Sequence, residues 1–238
     1  MSVASQARSA DAVVLATRVL AVAGLFDMHG HVSVRDDDVF KINGHTASRL
    51  SVRRNDVATV RIADGVTVEG VPPSEHPIHV GLYRARPDVR AVVHFHALYA
   101  TSLVVAGKPL IAAFNAGAPF GREVPVYDDP RLVRDQTSAA RLATAVGAGR
   151  AALLRGHGAV VVASDVMSAL ALALELEESA HRLWLAYAIG EPKPFSDDER
   201  STVASQLGES RVVTKIWFDA IERARRAGVL EDLDMTLI

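Results

Sequence analysis

Ala91-Val92-Val93-His94-Phe95-His96 is an apolar run that closes on two histidines one residue apart. In a β-strand, side chains i and i+2 point to the same face, about 7 Å apart along the backbone. The spacing predicts a buried strand that presents His94 and His96 side by side. Two imidazoles held this way suit a first-row divalent metal. Burying neutral imidazoles is unfavourable unless each finds a partner, so the competing readings are cross-strand hydrogen bonding or surface exposure. Two other stretches favour the metal. His157 lies in Leu154-Arg155-Gly156-His157-Gly158, where a second apolar run breaks at glycines, and Glu75 lies in Pro72-Pro73-Ser74-Glu75-His76. Three histidines and a carboxylate make a metal-site inventory that leaves room for a substrate.

Working outward, residues 6–25 carry Val13, Val14, Ala16, Val19, Leu20 and Ala23 at helical spacing, and Gly24 ends that helix. Residues 30–35 alternate as a strand, Asp36-Asp37-Asp38 turns, and residues 39–42 return as its hairpin partner. Short strands at 57–62 and 66–68 flank Asp64-Gly65, a hairpin signal. A helix over 75–86 stops at Arg86-Pro87-Asp88. Downstream come a small helix at 99–105, a strand at 110–114 and a helix at 130–146 capped by Asp128 or Asp129. Strands at 151–154 and 159–162 flank His157. Asp165 opens a long helix to about residue 189, and two more helices fill 196–228. The pattern predicts one α/β or α+β domain over residues 1–238, with the helices of about 196–238 as an extension.

Composition narrows the function. Of 238 residues, 49% are hydrophobic and 23% charged, with a formal net charge of -2, so neither nucleic acid nor an anionic membrane is an expected partner. The absence of cysteine excludes disulfides and thiolate metal sites, so any metal must rest on histidines and carboxylates. The N-terminus carries Arg8, Asp11 and Arg18 in an amphipathic pattern unlike a signal peptide, and no apolar run reaches a membrane span. The expectation is a cytoplasmic protein acting on a small molecule.

Individual residues carry plainer readings too. Ser74 can be a helix cap and Glu75 a first-turn acid favoured by the helix dipole, which is compatible with a catalytic Glu75. His79 follows Glu75 by four residues, so the two could bond on one helix face. His181, on a helix, reads as structural, while His29, His31, His45 and His76 stay open.

The string Ser74-Glu75, three residues, His79, followed by Tyr83-Arg84-Ala85-Arg86-Pro87-Asp88-Val89-Arg90-Ala91-Val92-Val93-His94-Phe95-His96, closely resembles the class II aldolase/adducin family. That family's Gly-Asn-x-Ser-x-Arg element is matched by Gly30-His31-Val32-Ser33-Val34-Arg35, and its His-Gly element by His157-Gly158. The resemblance runs from about residue 10 to about residue 190. It implies a three-layer α/β/α sandwich around a mostly antiparallel sheet, assembled as a homotetramer with active sites between subunits. It implies a divalent metal on His94, His96 and His157, commonly zinc, with manganese, iron or cobalt as alternatives, and Glu75 as acid/base. Members share Lewis-acid stabilisation of an enolate-like anion.

The chain departs from the sugar-phosphate pattern of the family. His31 replaces the asparagine, His45-Thr46 stands for Thr-Gly, and Pro73-Ser74 for Ser-Ser. Proline has no N–H for a phosphate, so the phosphate cradle is dismantled. No tyrosine lies in 112–122, where aldolases of the family carry a proton donor; Phe114 and Phe120 occupy that region, and Tyr127 reads as part of a turn. Gly30-His31-Val32-Ser33 with Arg155-Gly156-His157-Gly158 resembles the branch that decarboxylates hydroxylated aromatic or pyridine carboxylates. On that reading Glu75, or a histidine such as His31, returns a proton to the carbanion. Substrate contacts are expected from His31, Ser74, Thr46 and Arg155, the last pairing a second carboxylate unless it is merely a surface arginine. The other readings are an aldolase or epimerase on a sugar phosphate, an Fe(II) oxygenase on the same histidines, and a non-catalytic adducin-like scaffold.

Overall fold

The strand expected over Ala91–Phe95 lies inside the sheet, where both of its faces are buried. The structure is a computed structural model and describes residues 3–208 and 210–233. In chain order the elements are α1 (Val3–Val22), β1 (His31–Asp36), β2 (Val39–Asn43), β3 (Val57–Arg61), β4 (Thr67–Glu69), α2 (Pro77–Ala85), β5 (Ala91–Phe95) and α3 (Leu98–Val105). They continue with β6 (Val126–Tyr127), α4 (Gln136–Val146), β7 (Ala151–Leu154), β8 (Gly158–Ala163), α5 (Val166–Ile189), α6 (Asp197–Leu207) and α7 (Ser210–Arg226).

Among the described residues the strands form one eight-stranded sheet in the order β4-β3-β2-β1-β5-β8-β7-β6. Every pair is antiparallel except β6 with β7. The two-residue period of β5 sends Ala91, Val93 and Phe95 into one core and Val92 into the other. The first core is closed by apolar faces of α1, α3, α5 and α7, and the second by α2 and α4. Helices on both faces of a mostly antiparallel sheet give the expected α/β/α sandwich. His94, two residues after Val92, falls on the α2/α4 side. The β1–β5 register sets His31 directly opposite His94.

Local chemistry fixes the elements around the site. α3 starts just after His96, and its first N–H groups are taken by a carboxylate on α5: Glu177 accepts from Tyr99 N at 2.7 Å and Ala100 N at 3.2 Å. α5 begins where Asp165 accepts from Ser168 N at 2.7 Å. α7 buries Trp217, Ala220, Ile221 and Ala224 in the same core as α1 and α5.

Four sequence expectations are corrected. The run 110–114 forms no strand, only an isolated bridge between Ile111 and Glu123, before a 3-10 turn at Asn115–Phe120. α4 starts at Gln136, not 130, because the capping carboxylate is Asp135, which accepts from Ser138 N at 2.8 Å. Asp129 instead binds Arg131 and Arg141. Tyr127 belongs to strand β6. α2 starts at Pro77, so Glu75 sits in the preceding turn. No described helix is long and apolar enough to cross a membrane.

Candidate metal centre

The sheet brings the three histidines together. His94 and His96 come from the end of β5, and His157 from the turn between β7 and β8, the strand paired with β5. Ring centroids are 4.9 Å apart for His94–His157, 5.2 Å for His96–His157 and 5.7 Å for His94–His96. One nitrogen from each ring lies within 4.8 Å of the others. The turn needs glycine on both sides of His157. Gly156 has φ +66°, and a Cβ on Gly158 would lie 2.3 Å from the Phe95 carbonyl oxygen.

The donor set fits a divalent cation. His94 is fully buried, and neither of its ring nitrogens makes a well-formed hydrogen bond among the described residues; His157 is largely buried, its Nδ1 has no hydrogen-bond partner there, and its Nε2 faces the Glu75 carboxylate at 3.3 Å. Each orphaned buried polar atom costs about 1–3 kcal/mol, and a shared cation would satisfy one on each ring. Burial, reinforced by His31, His157 and His96, holds the His94 pKa well below the usual imidazole value. A neutral ring keeps the lone pair that a metal needs. His96 is oriented by Asp27, whose Oδ2 is 3.0 Å from His96 Nδ1. Asp27 Oδ1 accepts from His29 N at 2.7 Å and Gly30 N at 3.3 Å. Burial pushes the Asp27 carboxyl up, but the His29 N–H and His96 outweigh it and hold it below its ordinary value. With Nδ1–H given to Asp27, Nε2 of His96 is left for a cation. Sequence reasoning missed Asp27, which stands in a loop outside any periodic pattern.

Glu75 is buried beside this set. Its Oε1 accepts from Val133 N at 2.9 Å, and its Oε2 is 3.3 Å from His157 Nε2. The expected Glu75–His79 bond does not form, because the turn aims Glu75 at the histidines while His79 turns toward β1. A ring nitrogen of His31 lies within 4.8 Å of Glu75 and His94, so His31 and Glu75 share the site.

A cavity of about 330 Å³ opens here, with His31, Ser74, Glu75, His96 and His157 in its wall. Of the expected substrate contacts, His31 and Ser74 are thus in place and two are not. Thr46 is exposed on the 45–47 bend outside the wall, and its neighbour His45 lines it instead. Arg155 is exposed and paired with Asp128. The arginines that reach the wall are Arg49 and Arg134. Arg49 is buried and held by the carbonyls of Gly30 at 2.7 Å and Gly44 at 3.1 Å. Burial pulls its guanidinium below the ordinary value, opposed by Asp27. Glu75 is the one acid among the wall residues. A larger cavity of about 850 Å³ lies between α2 and α4, but its wall contains none of the three converging histidines.

A family model described as "Class II Aldolase and Adducin N-terminal domain" matches residues 11–184. The chain is 32% identical to a 3,4-dihydroxyphthalate decarboxylase of Rhodococcus jostii (strain RHA1), covering 88% of this chain and 93% of that one. It is 30% identical to a protein of the same name from Arthrobacter keyseri, covering 94% and 96%. Among solved structures, the L-fuculose-1-phosphate aldolase from Thermus thermophilus superposes with a TM-score of 0.69 at 29% identity, covering 80% of this chain and 100% of that one.

Proposed function

Because this chain belongs to the class II aldolase and adducin family, we propose that it is a metal-dependent carbon–carbon lyase that decarboxylates a small hydroxylated aromatic carboxylate. The observation that carries the reading is the convergence of His94, His96 and His157 around unpartnered nitrogens, with Glu75 alongside. His94, His96 and His157 would hold a divalent cation, zinc by the donor set, which would supply Lewis acidity to the substrate when bound.

The wall chemistry favours an anionic substrate. His29, His31, His45, Arg49 and Arg134 face a cavity whose one acid is Glu75. The relatives named for dihydroxyphthalate act on a compound with two carboxylates and two hydroxyls, and a substrate of that class suits this wall. Arg49 and Arg134 pair with the carboxylate that is retained. Glu75 takes the hydroxyl proton as substrate binds. The C–C bond to the departing CO₂ then breaks, its electron pair stays on the ring carbon, and Glu75 returns the proton there.

The second reading, an aldolase on a sugar phosphate, draws on the Thermus thermophilus relative. Against it stand Pro73 and His45 where a phosphate would need small donors. The test is direct: zinc-loaded protein is offered ortho-hydroxy aromatic dicarboxylates and sugar phosphates, and CO₂ and aldehyde are both assayed. CO₂ from the first group supports the reading; aldehyde from the second, with no CO₂, refutes it. Assembly into a homotetramer and action in the cytoplasm accompany this proposal, and size-exclusion chromatography with light scattering tests the former.

A further inference from the structure

Behind His31 runs a file of buried polar groups that none of the steps above uses. Tyr83 on α2 places its hydroxyl 2.7 Å from Ser33 Oγ on β1. Ser33 Oγ is 2.6 Å from His79 Nδ1, and His79 Nε2 is 2.7 Å from His31 Nδ1. All four residues are at most 2% exposed. From the Tyr83 end the file therefore leads to the one ring nitrogen of His31 that has no partner in it, Nε2, and His31 itself is part of the wall of the site.

We propose that Tyr83, Ser33 and His79 form a one-way hydrogen-bond relay that fixes His31 as an Nε2–H donor facing the substrate, and so keeps His31 from serving as a metal ligand.

The direction follows from counting hydrogens. Each of the three contacts carries one hydrogen. The Tyr83 hydroxyl has Ser33 as its one partner among the described residues. If Tyr83 accepted from Ser33, its own hydrogen would be buried with no acceptor, at about 1–3 kcal/mol. Tyr83 therefore donates to Ser33. Ser33 must then send its hydrogen to His79 Nδ1, its other partner. A neutral His79 that accepts at Nδ1 carries its hydrogen on Nε2, and gives it to His31 Nδ1. A neutral His31 that accepts at Nδ1 likewise carries its hydrogen on Nε2. The lone pair that could have bound a cation is thereby occupied. Among the described residues two clusters have metal-like spacing, His94–His96–His157 and His31–Glu75–His94. The relay separates them: the first keeps free lone pairs, and the second is blocked at His31. His31 can still donate a hydrogen bond to an oxygen of the substrate. Only that last role rests on the lyase reading; the direction of the relay is measured without a substrate.

The experiment is nitrogen-15 NMR of histidine-labelled full-length protein, without metal and with zinc added. His31 and His79 signals are assigned by their loss in His31→Gln and His79→Gln. Both are expected as neutral rings with hydrogen on Nε2, and His31 is expected to keep that pattern when zinc is added while His94, His96 and His157 shift. Ser33→Ala removes the middle of the file, so a second population with hydrogen on Nδ1 should appear at His31; Ser33→Thr, which restores a hydroxyl, should abolish it. Hydrogen on Nδ1 of both rings in the wild type would reverse the relay. A zinc-induced loss of the His31 Nε2 hydrogen would make His31 a ligand. Either result overturns the proposal, and neither bears on whether the chain is a lyase. The wild-type spectra decide the matter even if Ser33→Ala fails to fold.

Discussion

Gly158→Ala tests how tightly the sheet sets the histidine geometry. A Cβ at this position meets the Phe95 carbonyl oxygen at 2.3 Å, with Phe95 C and His96 Cα both at 3.2 Å. Ordinary carbon–oxygen contacts lie at about 3.3–3.6 Å, so the overlap is about 1 Å. All three neighbours are backbone atoms of the ligand strand or its edge, and no side chain can swing aside. The β5–β8 ladder must open at its last pair, Phe95 with Ala159. Overpacking costs about 1–3 kcal/mol, and a backbone clash belongs at the upper end, about 3 kcal/mol. For a chain of this size that is a fall in Tm of about 6–12 °C. The same opening moves His157 away from His96, whose rings are now 5.2 Å apart. Zinc–nitrogen bonds of about 2.0–2.1 Å tolerate little of a 1 Å shift, so zinc affinity should weaken on the order of tenfold or more. Gly156→Ala is the control. Its Cβ meets nothing within 4 Å, and only the positive φ of +66° is strained. It should cost about 1 kcal/mol and leave zinc binding nearly intact. Scanning calorimetry and a zinc competition titration read both variants. If Gly158→Ala melted within about 2 °C of wild type and held zinc equally well, the account of why glycine is required there would be wrong.

Glu75→Gln retains an acceptor for the Val133 N–H, so it should fold and bind zinc as wild type does while turnover falls about a hundredfold or more; unchanged turnover would remove Glu75 from proton transfer. Asp27→Asn should weaken zinc binding about 10–100-fold with little change in Tm, since it disturbs the His96 orientation rather than a core. Glu175 on α5 is held up to about 7 by burial, with Arg150 opposing. Its folded form binds the proton more tightly than the unfolded chain, so its stabilisation is complete below the ordinary carboxyl range and is lost as pH rises through about 7. Glu175→Gln should therefore raise stability relative to wild type at about pH 8 and not at about pH 4, by at most about 3 kcal/mol; equal melting of the two proteins at both pH values would contradict the burial of that carboxyl.

Much of this was legible in the sequence because it rests on strict periodicity. The i, i+2 spacing of His94 and His96 put both rings on one face of the strand, and the glycines around His157 marked a turn that could carry a ligand. What stayed hidden depends on contacts between distant segments. Asp27 reaches His96 across 69 residues. Arg49 enters the wall because three backbone carbonyls, those of Gly30, Gly44 and Ala47, grip it. Arg155, the arginine expected to pair a substrate carboxylate, is instead captured by Asp128 across the β6–β7 edge. The Ser33–His79 contact joins a strand to a helix, and no local pattern in either segment announces it. The misplaced start of α4 has a different origin: Asp128, Asp129 and Asp135 are equivalent as caps by type, and the arginines that engage Asp128 and Asp129 leave Asp135 to cap the helix.

The central claim is that His94, His96 and His157 hold one divalent cation. Zinc bound per chain, measured by competition titration in wild type, His94→Ala and His31→Ala, tests it most directly. One tightly bound zinc is expected in wild type and in His31→Ala, and none of comparable affinity in His94→Ala. Zinc retained by His94→Ala at the wild-type affinity, or lost from His31→Ala alone, would contradict it.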